Sequence, residues 1–274
     1  VQPEIRDLYM PMEGTAHNIA TVSIAKRYLG QPNKVAQGLW GAGQMMFNKY
    51  LVITPEQTNL RSKDEMFKLL RGLDPHKNMI WSEGILDVLD HATATTGYGS
   101  KLAIDLTDID PDTTPTSFPE PRTAQPTGGV ELFNTELAKS YGILILYAER
   151  EYHDTIDVER YISENNFSQM RVVALFDNGA AGYMNLSDLL WLAAANTDPK
   201  RDIRIVGETI IIDARSKRPG YGANPPRFPN VVTSHPDTIH HVDNRWQEYG
   251  IGELIESPSR RYRKLWLAES AQWE

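Results

Sequence analysis

Glu149-Arg150-Glu151 sets two carboxylates and a guanidinium on three consecutive residues, an inventory suited to general acid–base work. Neighbours along a strand point to opposite faces, so Arg150 cannot share a site there with both flanking carboxylates. The triplet therefore reads as structural. Gly38, Gly41 and Gly43, around Trp40, hint at a glycine-rich phosphate cradle. They fall inside a helical pattern instead of between a strand and a helix, so they fail the dinucleotide fingerprint, and close helix packing is their expected use. His235, Asp237, His240, His241 and Asp243 resemble a ligand cluster. Asp237 shares a helix face with His240 or His241 and would pair with either on a metal. No third ligand stands nearby, and Pro236-Asp237 also makes a good helix start. The chain has no G-x-S-x-G elbow, no H-E-x-x-H and no GKS/T loop. The absence of cysteine removes disulfides, thiolate zinc sites and cysteine nucleophiles together.

Such residues need elements to position them. With 274 residues, 41% of them hydrophobic, the chain can bury one large core or two modest ones. A formal net charge of -8 with both signs dispersed excludes a nucleic-acid partner, which would need clustered Lys and Arg. The short run Arg260, Arg261, Arg263, Lys264 reads as a solvated helix face. No window reaches the ~20 apolar residues of a membrane span. With no signal-like segment either, a cytoplasmic location is expected. The start at Val1, without an initiator Met, reads as a cut through a longer polypeptide.

Residues 108–129 carry five prolines and end in Gly128-Gly129, so they are expected to form an extended, semi-stiff connector. It separates 1–107 from 130–274, and these halves resemble each other. Sliding the sequence by 124 positions sets Ile19–Ile24 on Ile143–Ala148, Asn48–Ile53 on Val172–Asp177, and Asp74-Pro75 on Asp198-Pro199. The last two are expected to be helix-ending turns. Leu102–Asp105 then answers Ile210–Asp213, and four matches in order indicate a duplication. Between the strands lie helical patterns. Pro32 begins one that continues through Val35, Leu39, Ala42 and Met46. Ser62 caps another, with Met66, Leu69, Leu70 and Leu73. The second half repeats them with Val158, Tyr161, Ile162 and with Leu186, Leu189, Leu190, Ala193. The fold class is therefore α/β, with two tandem β-α-β-α-β-type halves, mostly parallel sheets and helices on their faces. Further helices are expected at about 235–249 and 258–272. Residues 85–99 have no counterpart in the second half, and an insertion beyond a strand end is where α/β sheets contact ligands.

Three segments, in order, resemble the C-terminal domain of the UbiD family, the 4-hydroxy-3-polyprenylbenzoate decarboxylases and their relatives. They are Pro3–Gly14 with His17-Asn18 and Ser23–Tyr28; Gly38–Tyr50; and Leu86–Ala92 with Gly99–Thr107. In the second half Asp177-Asn178, Leu190-Trp191, Asp198–Asp202 and Ile212–Lys217 look like family segments too, as does the closing helix with Asp237, Val242, Asp243 and Trp246. Two such halves resemble the longer members, some belonging to menaquinone synthesis. The chain departs from the family at Thr54–Gln57, where an acidic stretch is usual, and at Asn48, where threonine is usual.

The resemblance implies a non-oxidative decarboxylase of an aromatic or unsaturated acid, in quinone biosynthesis. It implies prenylated FMN with a divalent metal and potassium, held by N-terminal flavin-binding domains of the same polypeptide, and a homo-oligomer. The family's Glu-Arg-Glu set and its cofactor ligands would lie upstream of Val1, so this chain alone is expected to hold no cofactor and to be inactive. Its role would be to cover the substrate pocket, with Gln44, Asn48, Tyr50, Leu86 and Leu89 as lining residues. A lid of Met45, Met46, Phe47, Tyr50, Leu86 and Leu89 would give decarboxylation the dry surroundings it needs. The same residues would also serve as plain core. The competing expectation is a free-standing α/β ligand-binding or oligomerisation module without catalysis, and a third is a metal enzyme built on 235–243.

Overall fold

Ile19–Ile24 and Ile143–Ala148 are short runs of mostly apolar residues in which nearly every side chain is buried, the pattern of strands covered on both faces. A computed structural model describes residues 2–15, 17–121, 130–133, 135–148, 158–165, 167–180, 184–217 and 228–266. In the first half, β1 (Ile5–Tyr9), β2 (Ile19–Ile24), β3 (Tyr50–Pro55), β4 (Met79–Ile85) and β5 (Tyr98–Asp105) form one sheet in the order β1-β2-β3-β5-β4. Its three central strands are parallel and its two edges antiparallel. In the second half, β6 (Val130–Phe133), β7 (Ile143–Ala148), β8 (Val172–Asp177), β9 (Ile203–Val206) and β10 (Thr209–Asp213) repeat that order as β6-β7-β8-β10-β9, with the same directions. The expected α/β pair of mostly parallel sheets is thus present, each sheet carrying antiparallel edges in addition.

The duplication is visible in the register, with one correction. Ile19 pairs with Tyr50, and Ile143 pairs with Val172, so Val172 answers Tyr50 and not Asn48. The first half is two residues longer between its first two parallel strands. A slip of two leaves every side chain on its own face, which is why the ungapped alignment still matched apolar to apolar.

Helix α1 (Gln31–Trp40) starts with Pro32 in its first turn, as expected, and packs Val35, Ala36, Leu39 and Trp40 on Val22, Leu51, Ile53 and Ala103. It stops before Ala42 and Met46. Gly41 caps it, Ala42 is extended and Gly43 takes φ +54, so these glycines end the helix and only Gly38 lies within it. Helix α2 (Lys63–Leu70) is capped by Ser62, whose side chain accepts the amide of Glu65. Helix α3 (Pro75–Asn78) corrects the reading of Asp74-Pro75. The Asp74 carboxylate accepts the amide of His76 and Pro75 opens the turn, so the pair begins a helix instead of ending one. Asp198-Pro199 does the same for α7 (Pro199–Asp202).

The second sheet carries α4 (Thr135–Tyr141) and α5 (Val158–Glu164) beside Leu144, Leu146, Val173 and Leu175, and α6 (Leu186–Asn196) beside Ile145, Tyr147, Ala174 and Phe176. After residue 228 come α8 (Pro236–Asn244) and α9 (Ser259–Tyr262), each followed by a 3-10 turn. The connector differs from its expected extended form. Residues 108–121 contain no helix or strand, but they turn at Asp110–Thr113, and Ile109 and Phe118, each partly buried, pack against the core. An apolar residue inside the connector gains more from burial than from extension. Ile109 joins the cluster that unites the halves, in which Tyr50, Val52, Leu102 and Ile104 of the first sheet meet Val172, Ile203, Ile210 and Ile212 of the second.

Candidate functional site

The inserted loop, residues 86–97, folds over the strand starts of the first sheet through two aspartates. Asp87 and Asp90 each bend the chain by accepting an amide two residues on, from Leu89 and Ala92, both at 2.9 Å. Their other oxygens reach inward. Asp87 Oδ2 lies 2.6 Å from His17 Nδ1, just before β2, and Asp90 Oδ2 lies 2.7 Å from Lys49 Nζ, just before β3. The amide of Leu89 and the His17 ring hold the Asp87 carboxyl below its usual range. The expected location at a strand end is therefore right, but these are the amino ends of the parallel strands, not the carboxyl ends to which the general rule for ligand sites refers.

Lys49 is fully buried, and burial pulls its ammonium pKa down against the opposing pull of Asp90. Lys101, on β5, donates to the carbonyls of Met46 at 2.6 Å and Asn48 at 2.7 Å, and burial lowers its pKa to about 8. Asn48 donates to the carbonyls of His17 and Tyr50, both at 2.9 Å, and accepts from the Trp40 indole at 3.3 Å. The entrances to β2 and β3 are thereby tied together. Tyr50 hydrogen-bonds Thr197 of the second half, and burial raises its phenol well above the usual range.

The five residues expected to line a pocket lie in different settings. Asn48 is buried and Leu86 is 1% exposed beneath the loop. Tyr50 sits between the sheets, Gln44 is exposed, and Leu89 is 84% exposed at the loop tip beside Val88. One bridge links the two exposed members. The Phe47 ring, in the turn that carries Gln44, lies 5.4 Å from the His17 ring, and His17 holds the loop that carries Leu89. Reasoning from sequence passed over Lys49, Asp90, His17 and Lys101. The available signal was a lysine flanking or interrupting a buried strand, where a cation requires a counter-charge or carbonyls.

At the carboxyl ends of the second sheet, Asp213 pairs with Arg215 at 2.8 Å and Asp177 accepts the amide of Ser216 at 2.8 Å. The buried Lys217 donates to the carbonyls of Asp213 and Arg215. A cavity of about 340 Å³ opens here, and His91 of the inserted loop reaches into its wall. The histidine cluster serves its own helix. The His235 ring caps α8 by accepting the amide of Asp237, His240 contacts Asn244, and Asp243 pairs with Arg260. Among the described residues no three His, Cys, Asp or Glu side chains converge as a metal set would. These described donors do not fit a divalent metal. Glu149-Arg150-Glu151 lies outside the described residues. Among the described residues no helix is long and apolar enough to cross a membrane.

Residues 1–106 match the family model described as 3-octaprenyl-4-hydroxybenzoate carboxy-lyase C-terminal domain. An uncharacterized protein of Aquifex aeolicus (strain VF5) is 40% identical over 106 residues, 38% of this chain and 22% of that protein. An uncharacterized protein of Helicobacter pylori (strain J99) is 28% identical over 228 residues, 78% of this chain and 36% of that protein. The chain thus spans little more than a third of these relatives at most. Among solved structures, the vanillic acid decarboxylase of Sedimentibacter hydroxybenzoicus in open form aligns with a TM-score of 0.37 at 24% identity, over 45% of this chain and 25% of that one. The UbiD-class enzyme HmfF from Pelotomaculum thermopropionicum, solved in complex with FMN, aligns with a TM-score of 0.36 at 16% identity, over 45% and 27%.

Proposed function

We propose, from the membership of residues 1–106 in the UbiD carboxy-lyase C-terminal domain family, that this chain is the pocket-covering and assembly part of a non-oxidative decarboxylase. Its substrate class is an aromatic or unsaturated carboxylic acid in quinone biosynthesis, a reading supported by the hydroxybenzoate carboxy-lyase domain that residues 1–106 match. The working enzyme is a cytoplasmic homo-oligomer, and prenylated FMN, a divalent metal and potassium belong to segments of the polypeptide outside this chain.

The observation that carries this reading is the inserted loop. Val88 and Leu89 are 69% and 84% exposed, yet the turns that present them are pinned by Asp87 to His17 and by Asp90 to Lys49. A large apolar side chain held rigidly in water is costly, and the cost is recovered when another surface covers it. With the turn of Gln44 and Phe47 alongside, the tip would close over a carboxylic acid and exclude water. A carboxylate stripped of water gives up its charge to fixed dipoles more readily than to mobile solvent. Asn48, through the carbonyl of His17, and the buried Leu86 would support the tip from behind, while Tyr50 would anchor the start of β3 to the second half.

The test is decarboxylation of hydroxybenzoates by the full-length polypeptide loaded with prenylated FMN. Leu89→Asp should lower turnover at least about tenfold, one missing apolar closure being worth more than 1.4 kcal/mol. The melting temperature should hold. Unchanged turnover in that variant, or turnover by the 274-residue chain alone, would overturn the reading.

A further inference from the structure

The two sheets do not close on each other completely. Each half rests a short helix on the other's last hairpin. His76 Nε2 of α3 lies 2.8 Å from the carbonyl oxygen of Gly207, between β9 and β10, and the amide of Lys200 in α7 donates to the Ser100 hydroxyl on β5 at 2.9 Å. The halves therefore meet as two copies do in a symmetric dimer, each face turned toward its own counterpart. Strand register identifies the counterparts: Leu102 answers Ile210, Ile104 answers Ile212 and Met79 answers Ile203. Both opposing faces thus carry large aliphatic side chains, whereas close packing needs large against small. A cavity of about 220 Å³ is left between the sheets, and these residues line it.

The gap shows at single residues. Tyr50 and Ile104 stand on interior strands of the first sheet, and Val172 and Ile212 on those of the second, yet all are only partly buried where the halves meet. Helices α2 and α6 add Phe67 and Leu70, and Leu189 and Ala193, to the wall. Among the described lining residues only Tyr50 carries a polar side-chain atom, and Thr197 hydrogen-bonds its hydroxyl. This wall offers an occupant neither charge nor hydrogen bond. Water needs about two to four polar partners to settle in a cavity, so it gains nothing here. A void in a close-packed interior is costly, and an apolar occupant recovers that cost through contact and through its own removal from water.

We propose that this cavity is a binding site for a hydrocarbon group that brings no hydrogen-bonding atom inside. An apolar cavity of about 150 Å³ takes benzene, so the volume here suits roughly eight carbons, as a ring with a short arm or as a chain. The inference is independent of the decarboxylase reading. Methyl NMR of the 274-residue chain, labelled at isoleucine δ1, tests it, because Ile104, Ile210 and Ile212 line the cavity while Ile24 and Ile53 pack under α1. Ethylbenzene should shift the first three methyls and leave the other two in place. Benzyl alcohol, which has a hydroxyl where ethylbenzene has its terminal methyl, should bind at least about tenfold more weakly, since that hydroxyl finds no partner. Octyl glucoside below its micelle concentration separates the sources of such a group. Shifts of the same methyls assign the tail of an amphiphile, and shifts by ethylbenzene alone assign a free hydrocarbon. Ala193→Leu, filling the space, should weaken ethylbenzene at least about tenfold and melt no earlier than the parent chain. Should it melt early, Leu190→Phe serves in its place. No shift at the three lining isoleucines in buffer saturated with ethylbenzene, equal binding of benzyl alcohol, or undiminished binding by a stably folded filled variant would sink the proposal.

Discussion

Lys49 and Asp90 form an ion pair with almost no exposure to solvent, the one residue at a strand entrance and the other in the inserted loop. Either charge left alone there has neither water nor a partner. Asp90→Ala should therefore lower the free energy of unfolding by about 3–5 kcal/mol in chemical denaturation. Lys49→Met combined with Asp90→Leu should cost much less than Asp90→Ala, because no lone charge remains. Lys101 predicts a pH dependence. Its pKa is depressed from 10.5 to about 8, so the folded state sheds its proton before the unfolded state does. Between about pH 8 and pH 10.5 the unfolded chain then binds more protons, and stability rises with pH by up to about 3 kcal/mol from this group. Denaturation midpoints measured across that range should show the rise in the parent chain and lose it in Lys101→Met.

At the scale of elements, local signals in the sequence did what they do in isolated segments. Asn185 caps α6 in a full capping box with Asp188, and Ser62 caps α2 through its side chain. Asn185→Ala should cost about 1 kcal/mol in thermal denaturation and Asn185→Ser almost nothing, since serine keeps the acceptor. The misread elements have equally local causes. Spacing alone ran α1 on through Ala42 and Met46, but Gly43 sits at φ +54 and releases the chain into a turn. The prolines of the connector predict extension, but Ile109 and Phe118 draw it toward the core, against which both pack.

Across the whole molecule the two halves behave as one packing unit. Tyr50, Val52, Leu102 and Ile104 have their cover on Ile203, Ile210 and Ile212, and Tyr50 also bonds Thr197. Unfolding should therefore be a single transition by both near-ultraviolet and far-ultraviolet circular dichroism. Ile210→Ala, which opens a void in the shared cluster, should cost about 2–5 kcal/mol and speed hydrogen exchange in both halves together. Protection lost only in the second half would show that the halves are energetically independent.

The sequence by itself determined the class of fold, the doubling of its unit and the alternation of three buried strands with helices in each half, but not the antiparallel edge strands. Apolar runs of strand length, caps and prolines act within a few residues, and a repeat reports its own topology. It also carried the family resemblance, through Pro3–Gly14, Gly38–Tyr50, and Leu86–Ala92 with Gly99–Thr107. Only the tertiary structure decided that Leu86 points inward while Leu89 points out, that Asp90 answers Lys49 forty-one positions earlier in the chain, and that His91 crosses into the second half's cavity. Those outcomes depend on how one sheet is placed against the other, and no local periodicity encodes that placement. A buried charge shows in the sequence as a misplaced lysine, but its partner is chosen by the fold.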